Sequence, residues 1–183
     1  MPLNKMSDSV TIPILSDSHG HGRRADIILE KLGHIGEKAT ELIFLGDGTR
    51  ELLGRLPEGL RVYAVKGNCD GYLDIYDDDG NAVPDERLEI IAGKRVIMMH
   101  GHEYSVKGGT AWAVARAVKL NADLLLFGHT HIPLYTTLPA GSVIEGTALE
   151  RSLHIFNPGA LADGSFGLLT VRNGEILLSH GRV

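Results

Sequence analysis

With a single cysteine, Cys69, among 183 residues, no disulfide can form within the chain, which suits a reducing compartment. No run of 18 apolar residues exists, which excludes a membrane-spanning helix. Residues 1–9 are short and polar and lack the apolar core of a signal peptide. Lys and Arg form no tract and the net charge is −5, so a basic face for long nucleic acid is not expected. Internal repeats, linkers and low-complexity stretches are also missing. The expectation is therefore one domain over residues 1–183, located in the cytoplasm, with 43% hydrophobic and 22% charged residues as in an ordinary globular chain.

The first half alternates between apolar runs of strand length and helical spacing. Val10 to Leu15 reads as a strand despite Pro13, which offers no ladder N–H. Arg24 to Leu32 follows as a helix, with Ala25, Ile28, Leu29 and Leu32 on one face. Leu42 to Leu45 and Val62 to Val65 are strands separated by a short helix at Glu51 to Arg55. Tyr72 to Asp85 is an acidic loop. Arg87 to Ile91 and Arg95 to Met99 flank the turn Ala92-Gly93-Lys94. Thr110 to Leu120 is a helix with Trp112, Ala115 and Val118 available for one face, and Asp123 to Phe127 is the next strand. Beyond that the pattern is all-β: Leu134 to Leu138, Ser142 to Thr147, Leu153 to Phe156, Phe166 to Val171 and Ile176 to His180, the last two joined by an Asn173-Gly174 hairpin turn. Two packed sheets with helices on their outer faces accommodate this order.

Five polar clusters stand at the carboxyl ends of apolar runs: Asp17-Ser18-His19, Gly46-Asp47, Gly67-Asn68-Cys69-Asp70, His100-Gly101-His102 and Gly128-His129-Thr130-His131. In open α/β sheets ligands gather at such strand ends. Singly, Asp-x-His or Gly-Asp is more often a turn or cap. Together they read as one dinuclear metal site. A carboxylate can bridge two dications about 3.5–4 Å apart, and Asp47 is the natural candidate. Asp17 and His19 reach one ion, while Asn68 supplies a neutral oxygen and His100, His129 and His131 supply imidazole nitrogen. Mixed N/O ligation without thiolate suits Mn²⁺, Fe or Zn²⁺. Metal coordination brings the pKa of water from about 15.7 to about 7, which is roughly 12 kcal/mol. Two dications, two carboxylates and one hydroxide sum to about +1, so an acidic protein can still attract phosphate at this spot.

The series Asp17-x-His19, Gly46-Asp47, Gly67-Asn68, His100 and Gly128-His129-x-His131 resembles the calcineurin-like metallophosphoesterase superfamily. The Gly-Asn-Cys-Asp form and the short length resemble its small single-domain bacterial and archaeal phosphodiesterases. The resemblance spans roughly residues 10–160 and implies an α/β, four-layer α-β-β-α sandwich, two packed mixed β-sheets flanked by helices. It implies that Asp17, His19, Asp47 and His131 hold one ion and that Asp47, Asn68, His100 and His129 hold the other. It also implies that Asp47, Asn68 and His100 support a metal-bridging hydroxide and the phosphate it attacks in line. Mn²⁺ is the expected ion, with Ni²⁺, Co²⁺, Zn²⁺ or Fe as alternatives. Asn157-Pro158-Gly159-Ala160 also matches a family segment and is assigned a structural role.

Two positions depart from the family pattern. Cys69 stands where many members have His, and a thiol is a poorer proton donor than imidazolium at neutral pH. Small packing is its first reading, a catalytic part its second. Arg50, followed by Glu51, replaces the second carboxylate of the wider Gly-Asp-x-x-Asp pattern. His102 either lines the pocket, orients His100, or is a loop histidine. His21, Arg23 and Arg24 are read as solvated rather than phosphate-binding, and His34, His154 and His180 as structural. Asp77-Asp78-Asp79-Gly80 suggests a calcium loop, but Ile75 would fall at its first ligand position and Pro84 interrupts it, so an acidic surface loop is the better reading.

The leading expectation is a phosphodiesterase acting on a small or nucleotide-like phosphate ester. A phosphomonoesterase, nucleotide pyrophosphatase or nuclease would use the same centre, and homo-oligomerisation is left open. From another class, a protein-binding scaffold on the same fold is the rival, as in a retromer subunit with a degenerate site. Intact ligands at every expected position argue against it.

Overall fold

The computed structural model describes residues 9–34, 39–71, 74–77 and 79–183. The polar N-terminal segment, apart from Ser9, therefore lies outside the described residues, as do Asp78 of the acidic run and Tyr72 at the start of its loop.

Two five-stranded mixed sheets pack face to face, giving the expected four-layer α-β-β-α sandwich. The first sheet contains β1 (Ser9–Leu15), β2 (Glu41–Phe44), β3 (Arg61–Ala64), β11 (Ser165–Arg172) and β12 (Glu175–Arg182), in the order β12-β11-β1-β2-β3. The second contains β4 (Glu86–Ile91), β5 (Lys94–Met99), β6 (Leu124–Phe127), β7 (Leu134–Leu138) and β10 (Leu153–Asn157), in the order β4-β5-β6-β10-β7. Helices α1 (Arg23–His34) and α2 (Thr49–Leu53) cover the first sheet, and α3 (Ala111–Lys119) covers the second.

Alternation along the strands sorts the side chains. Ile12, Ile14, Val96, Met98, Leu124 and Leu126 point into the core between the sheets. Ile97, Met99, Leu125 and Phe127 point outward onto α3. Because β6 is buried on both faces, it is an unbroken apolar run rather than an alternating one.

Pro13 is tolerated because β1 meets its parallel neighbour β2 only at Ile14 and Leu15, one residue later. Two expectations are corrected. Residues 142–147 are not one strand: Val143–Ile144 (β8) turns back at Glu145-Gly146, both at positive φ, into Thr147–Ala148 (β9). The buried face of α3 is Ala113, Val114, Ala117 and Val118, whereas Trp112 is 65% exposed and Ala115 only half-buried.

Strands β1, β2 and β3 run parallel, as do β5 and β6. The loops after these five strands therefore emerge on one side, and they carry the five polar clusters.

Candidate metal centre

All seven candidate ligands converge at that side. Asp17, at the end of β1, is fully buried. Its Oδ2 accepts hydrogen bonds from Ser16 Oγ (2.5 Å) and the His129 backbone N–H (3.1 Å). Its Oδ1 is buried with no hydrogen-bond partner. That oxygen lies 3.2 Å from His131 Nε2, 3.8 Å from His19 Nε2 and 3.9 Å from His100 Nε2. An uncompensated buried carboxylate oxygen is costly, and here it faces three imidazoles.

Asp47 sits between two groups of ligands. Its Oδ1 accepts the Cys69 N–H at 2.7 Å, and its Oδ2 is 3.3 Å from His100 Nε2 and 3.8 Å from His19 Nε2. On one side are Asp17, His19 and His131, with the Nε2 atoms of the two histidines 3.2 Å apart. On the other are His100 and His129, with Asn68 Oδ1 3.1 Å from His100 Nε2. These sets could hold two cations with Asp47 shared.

The protonation pattern fits cation binding. The Leu45 carbonyl accepts from His100 Nδ1 at 2.7 Å, so Nδ1 carries the hydrogen. Nε2 then faces two oxygens, Asn68 Oδ1 and Asp47 Oδ2, and must bear either a proton or a metal. Burial works against charge on His100, but the Asp47 hydrogen bond and the Asp17 and Asp47 charges outweigh it and raise its pKa. Burial would likewise raise Asp47, yet His100 and the Cys69 N–H hold its carboxyl well below the usual carboxylate range. Burial and the charges of His100 and Lys107 push His129 down to about 4, so it is neutral and ligand-ready at pH 7.

Backbone strain accompanies this geometry. Asp17 (φ 54°), His19 (41°), Asp47 (62°), His129 (65°) and His131 (62°) all occupy the left-handed region, which costs a side-chain-bearing residue roughly 1–2 kcal/mol each. Strain of this kind persists where surrounding contacts over-determine it, typically at functional sites. Gly128 is required by close approach: a Cβ there would run into Ser16 Oγ and stand 2.9 Å from Asp17 Oδ2.

Three further residues, read from the sequence only as members of longer motifs, support the site from behind. Asp70 accepts from the backbone N–H groups of Asp47 (3.0 Å), Gly48 (2.8 Å), Thr49 (2.8 Å) and Gly67 (2.7 Å), and from Thr49 Oγ1 (2.7 Å). It thereby ties the Asp47 loop to the Asn68 loop. Glu51, next to Arg50, accepts from Ser18 Oγ (3.3 Å) and the Gly22 N–H (3.1 Å), bracing the Asp17–His19 turn. Asn157 Nδ2 donates to the Gly128 carbonyl (2.8 Å) and Thr130 Oγ1 (3.1 Å), which gives the Asn-Pro-Gly-Ala segment its structural role. The sequence signal for Asp70 was its place in the Gly67-Asn68-Cys69-Asp70 cluster, three residues after Gly67, whose backbone N–H it accepts.

Other expectations are corrected. Cys69 is exposed rather than packed in the core; the partial desolvation of its thiol and the neighbouring Asp47 carboxylate raise its pKa to about 11. His102 does not orient His100, whose Nδ1 is taken by Leu45; its ring lies 5.5 Å from His100 and 6.1 Å from His129, and its Nδ1 is buried without a partner. Arg24 is not merely solvated: it donates to the carbonyls of Leu161 and Ala162. His154 pairs with Tyr135 OH, and His180 stacks on Phe156 and bonds the Asn157 carbonyl, so both have structural partners.

Comparison with known proteins bears on the family and the fold. The calcineurin-like phosphoesterase superfamily domain matches residues 10–180. A probable metallophosphoesterase of Bacillus subtilis (strain 168) is 31% identical over 166 residues, covering 90% of this chain and 86% of its own length. Two solved structures share the fold with equal TM-scores of 0.64. One is an archaeal phosphodiesterase, 18% identical over 95% of this chain and 100% of the other. The other is Vacuolar Protein Sorting 29 of Cryptosporidium parvum, 16% identical over 96% and 98%.

Proposed function

The chain belongs to the calcineurin-like phosphoesterase superfamily, and we propose that it is a metal-dependent phosphodiesterase holding two divalent cations, Mn²⁺ by preference, on the seven converging side chains. Asp17, His19, Asp47 and His131 would hold one ion and Asp47, Asn68, His100 and His129 the other. The observation that carries this reading is the buried, unpartnered Asp17 Oδ1, facing three imidazoles beside an Asp47 carboxylate set between two ligand groups. Bound there, divalent cations supply Lewis-acid polarisation of phosphoryl oxygens and lower the pKa of a water to about 7.

The chain's own residues do the rest. Asp17 and Asp47 supply the buried negative charge that selects cations. The Leu45 carbonyl fixes the His100 tautomer so that Nε2 faces the site. His19, Asn68 and His131 are exposed while Asp17, Asp47 and His100 are buried, which makes an open rim over a closed floor and lets a phosphate approach from solvent. Lys107, close enough to act on His129, adds positive charge for an anionic substrate. Cys69 stays protonated at neutral pH and is a weak acid, so the leaving group departs with little help. Diesters with good leaving groups suit such a site best; monoesterase, pyrophosphatase and nuclease activities are the alternatives on the same centre.

The equal likeness to an enzyme and to a sorting protein means that the fold alone does not choose between catalysis and scaffolding. The complete ligand set favours catalysis. No helix among the described residues is long and apolar enough to cross a membrane; we place the protein in the cytoplasm, as one domain acting on small phosphate esters. The test is hydrolysis of bis(p-nitrophenyl) phosphate after reconstitution with Mn²⁺. Turnover that disappears in Asp47→Ala supports the enzyme. A folded, metal-loaded protein without turnover on any phosphate ester supports the scaffold.

A further inference from the structure

We propose that the protein forms a two-fold dimer in which β4 pairs antiparallel with β4 of a second copy, joining the two second sheets into one of ten strands. Among the described residues β4 has β5 on one side and no strand on the other. A groove of about 1160 Å³, lined in part by Arg61, Tyr63, Ala82, Arg87, Leu88 and Glu89, leaves space beside this free edge.

The register follows from which face each residue occupies. Arg87 and Glu89 pair with Met98 and Val96, so they point to the side between the sheets. Glu86, Leu88 and Ile90 pair with Met99, Ile97 and Arg95, so they point to the α3 side. A two-fold axis perpendicular to the sheet keeps each face on the same side, so opposed residues must come from the same face. Centring the axis on Leu88 satisfies this. It sets Leu88 against Leu88 of the second copy, Arg87 against Glu89, and Glu86 against Ile90.

Charge and apolar surface both favour this arrangement. Arg87 and Glu89 already lie 3.6 Å apart along the strand. Across the axis they would form a square of alternating sign, the favourable form of a cross-strand pair. On the other face, Leu88 is 37% exposed, Ile90 59% and Trp112 65%. Trp112 stands one helical turn before Arg116, which bonds Glu86 at the start of β4, the end of the strand where Ile90 of the second copy would arrive. One contact would thus cover three of the nine exposed large apolar side chains among the described residues.

The other open edges fit less well. β3 and β7 have four and five residues, and β7 is flanked by Pro133 and Pro139. β12 is longer, with eight residues, but its only charged side chains, Glu175 and Arg182, lie on opposite faces and cannot oppose each other in a two-fold pairing.

Analytical ultracentrifugation tests the proposal. The native chain is expected to sediment at twice the monomer mass. Arg87→Glu and Glu89→Arg should each shift it to monomer, because like charges then face each other across the axis. The double variant should restore the dimer, and an equimolar mixture of the two single variants should form a heterodimer, since one then presents only carboxylates and the other only guanidinium groups. Circular dichroism confirms that each variant is folded, and the mixture reports on the interface even if one alone is weakened. A native chain that is monomeric at its highest soluble concentration overturns the proposal. So does a dimer that survives both single substitutions, or a mixture that stays monomeric.

Discussion

Asp70 lies one layer behind the candidate ligands, and its five hydrogen bonds fix the loops that carry Asp47 and Asn68. Asp70→Asn turns part of that acceptor into a donor facing other donors. Residues that orient metal ligands in this way typically matter by about 10–100-fold in metal affinity, and a loss in that range is expected from Mn²⁺ titration of the variant. His100 gives the pH dependence. Its folded pKa is raised above the unfolded value of about 6.5, so the stability it contributes without metal is complete below that pH and is lost as pH rises through the folded value. Urea unfolding of chelator-treated protein should show stability falling over this window. With Mn²⁺ the trend should reverse, because binding requires the deprotonated ring. Cys69 supplies a third test. Its thiol, held at about 11, does no acid–base work at neutral pH, so Cys69→Ser should change diester turnover by less than about two-fold, whereas Cys69→His should raise monoester relative to diester turnover by at least about 10-fold. The seven candidate ligands could be picked out because each belongs to a short motif after an apolar run. What Asp70 and Asn157 hold was harder to read, because most of their partners lie 21–29 residues away in sequence, which no local pattern encodes.

Strand ends and their loops set the site's precision. The loop after β6 comes close enough to Ser16 and Asp17 that only a glycine fits at position 128. Gly128→Ala forces a shift of the Asp17 loop, and overpacking of this kind costs about 1–3 kcal/mol. A lower melting temperature together with weaker Mn²⁺ binding is expected, measured by calorimetry and titration. Most elements were readable from periodicity, because strand alternation and helical spacing are set by burial. The Asn173-Gly174 hairpin was readable too, since both residues accept positive φ easily. The β8–β9 hairpin was not, because Glu145 is an unusual residue for that conformation and gives no turn signal. Trp112 misled for another reason: its size suggests burial, but on α3 the small Ala113 and Ala117 are what allow close packing on the sheet.

At the scale of the molecule, two sheets bring five strand ends to one side, so candidate ligands up to 114 positions apart, from Asp17 to His131, share a space a few ångströms across. Folding and metal binding are therefore coupled. A cation that binds only the folded chain stabilises it by about 2.7 kcal/mol at 100 times its dissociation constant, so chelation should lower the melting temperature, and Mn²⁺ should restore it in the native chain but not in Asp47→Ala. The most direct test of the shared-carboxylate centre is an anomalous difference map from crystals of Mn²⁺-reconstituted protein. Two peaks about 3.5–4 Å apart, one on each side of Asp47, are the expected result; a single peak, or peaks that do not touch Asp47, would contradict it.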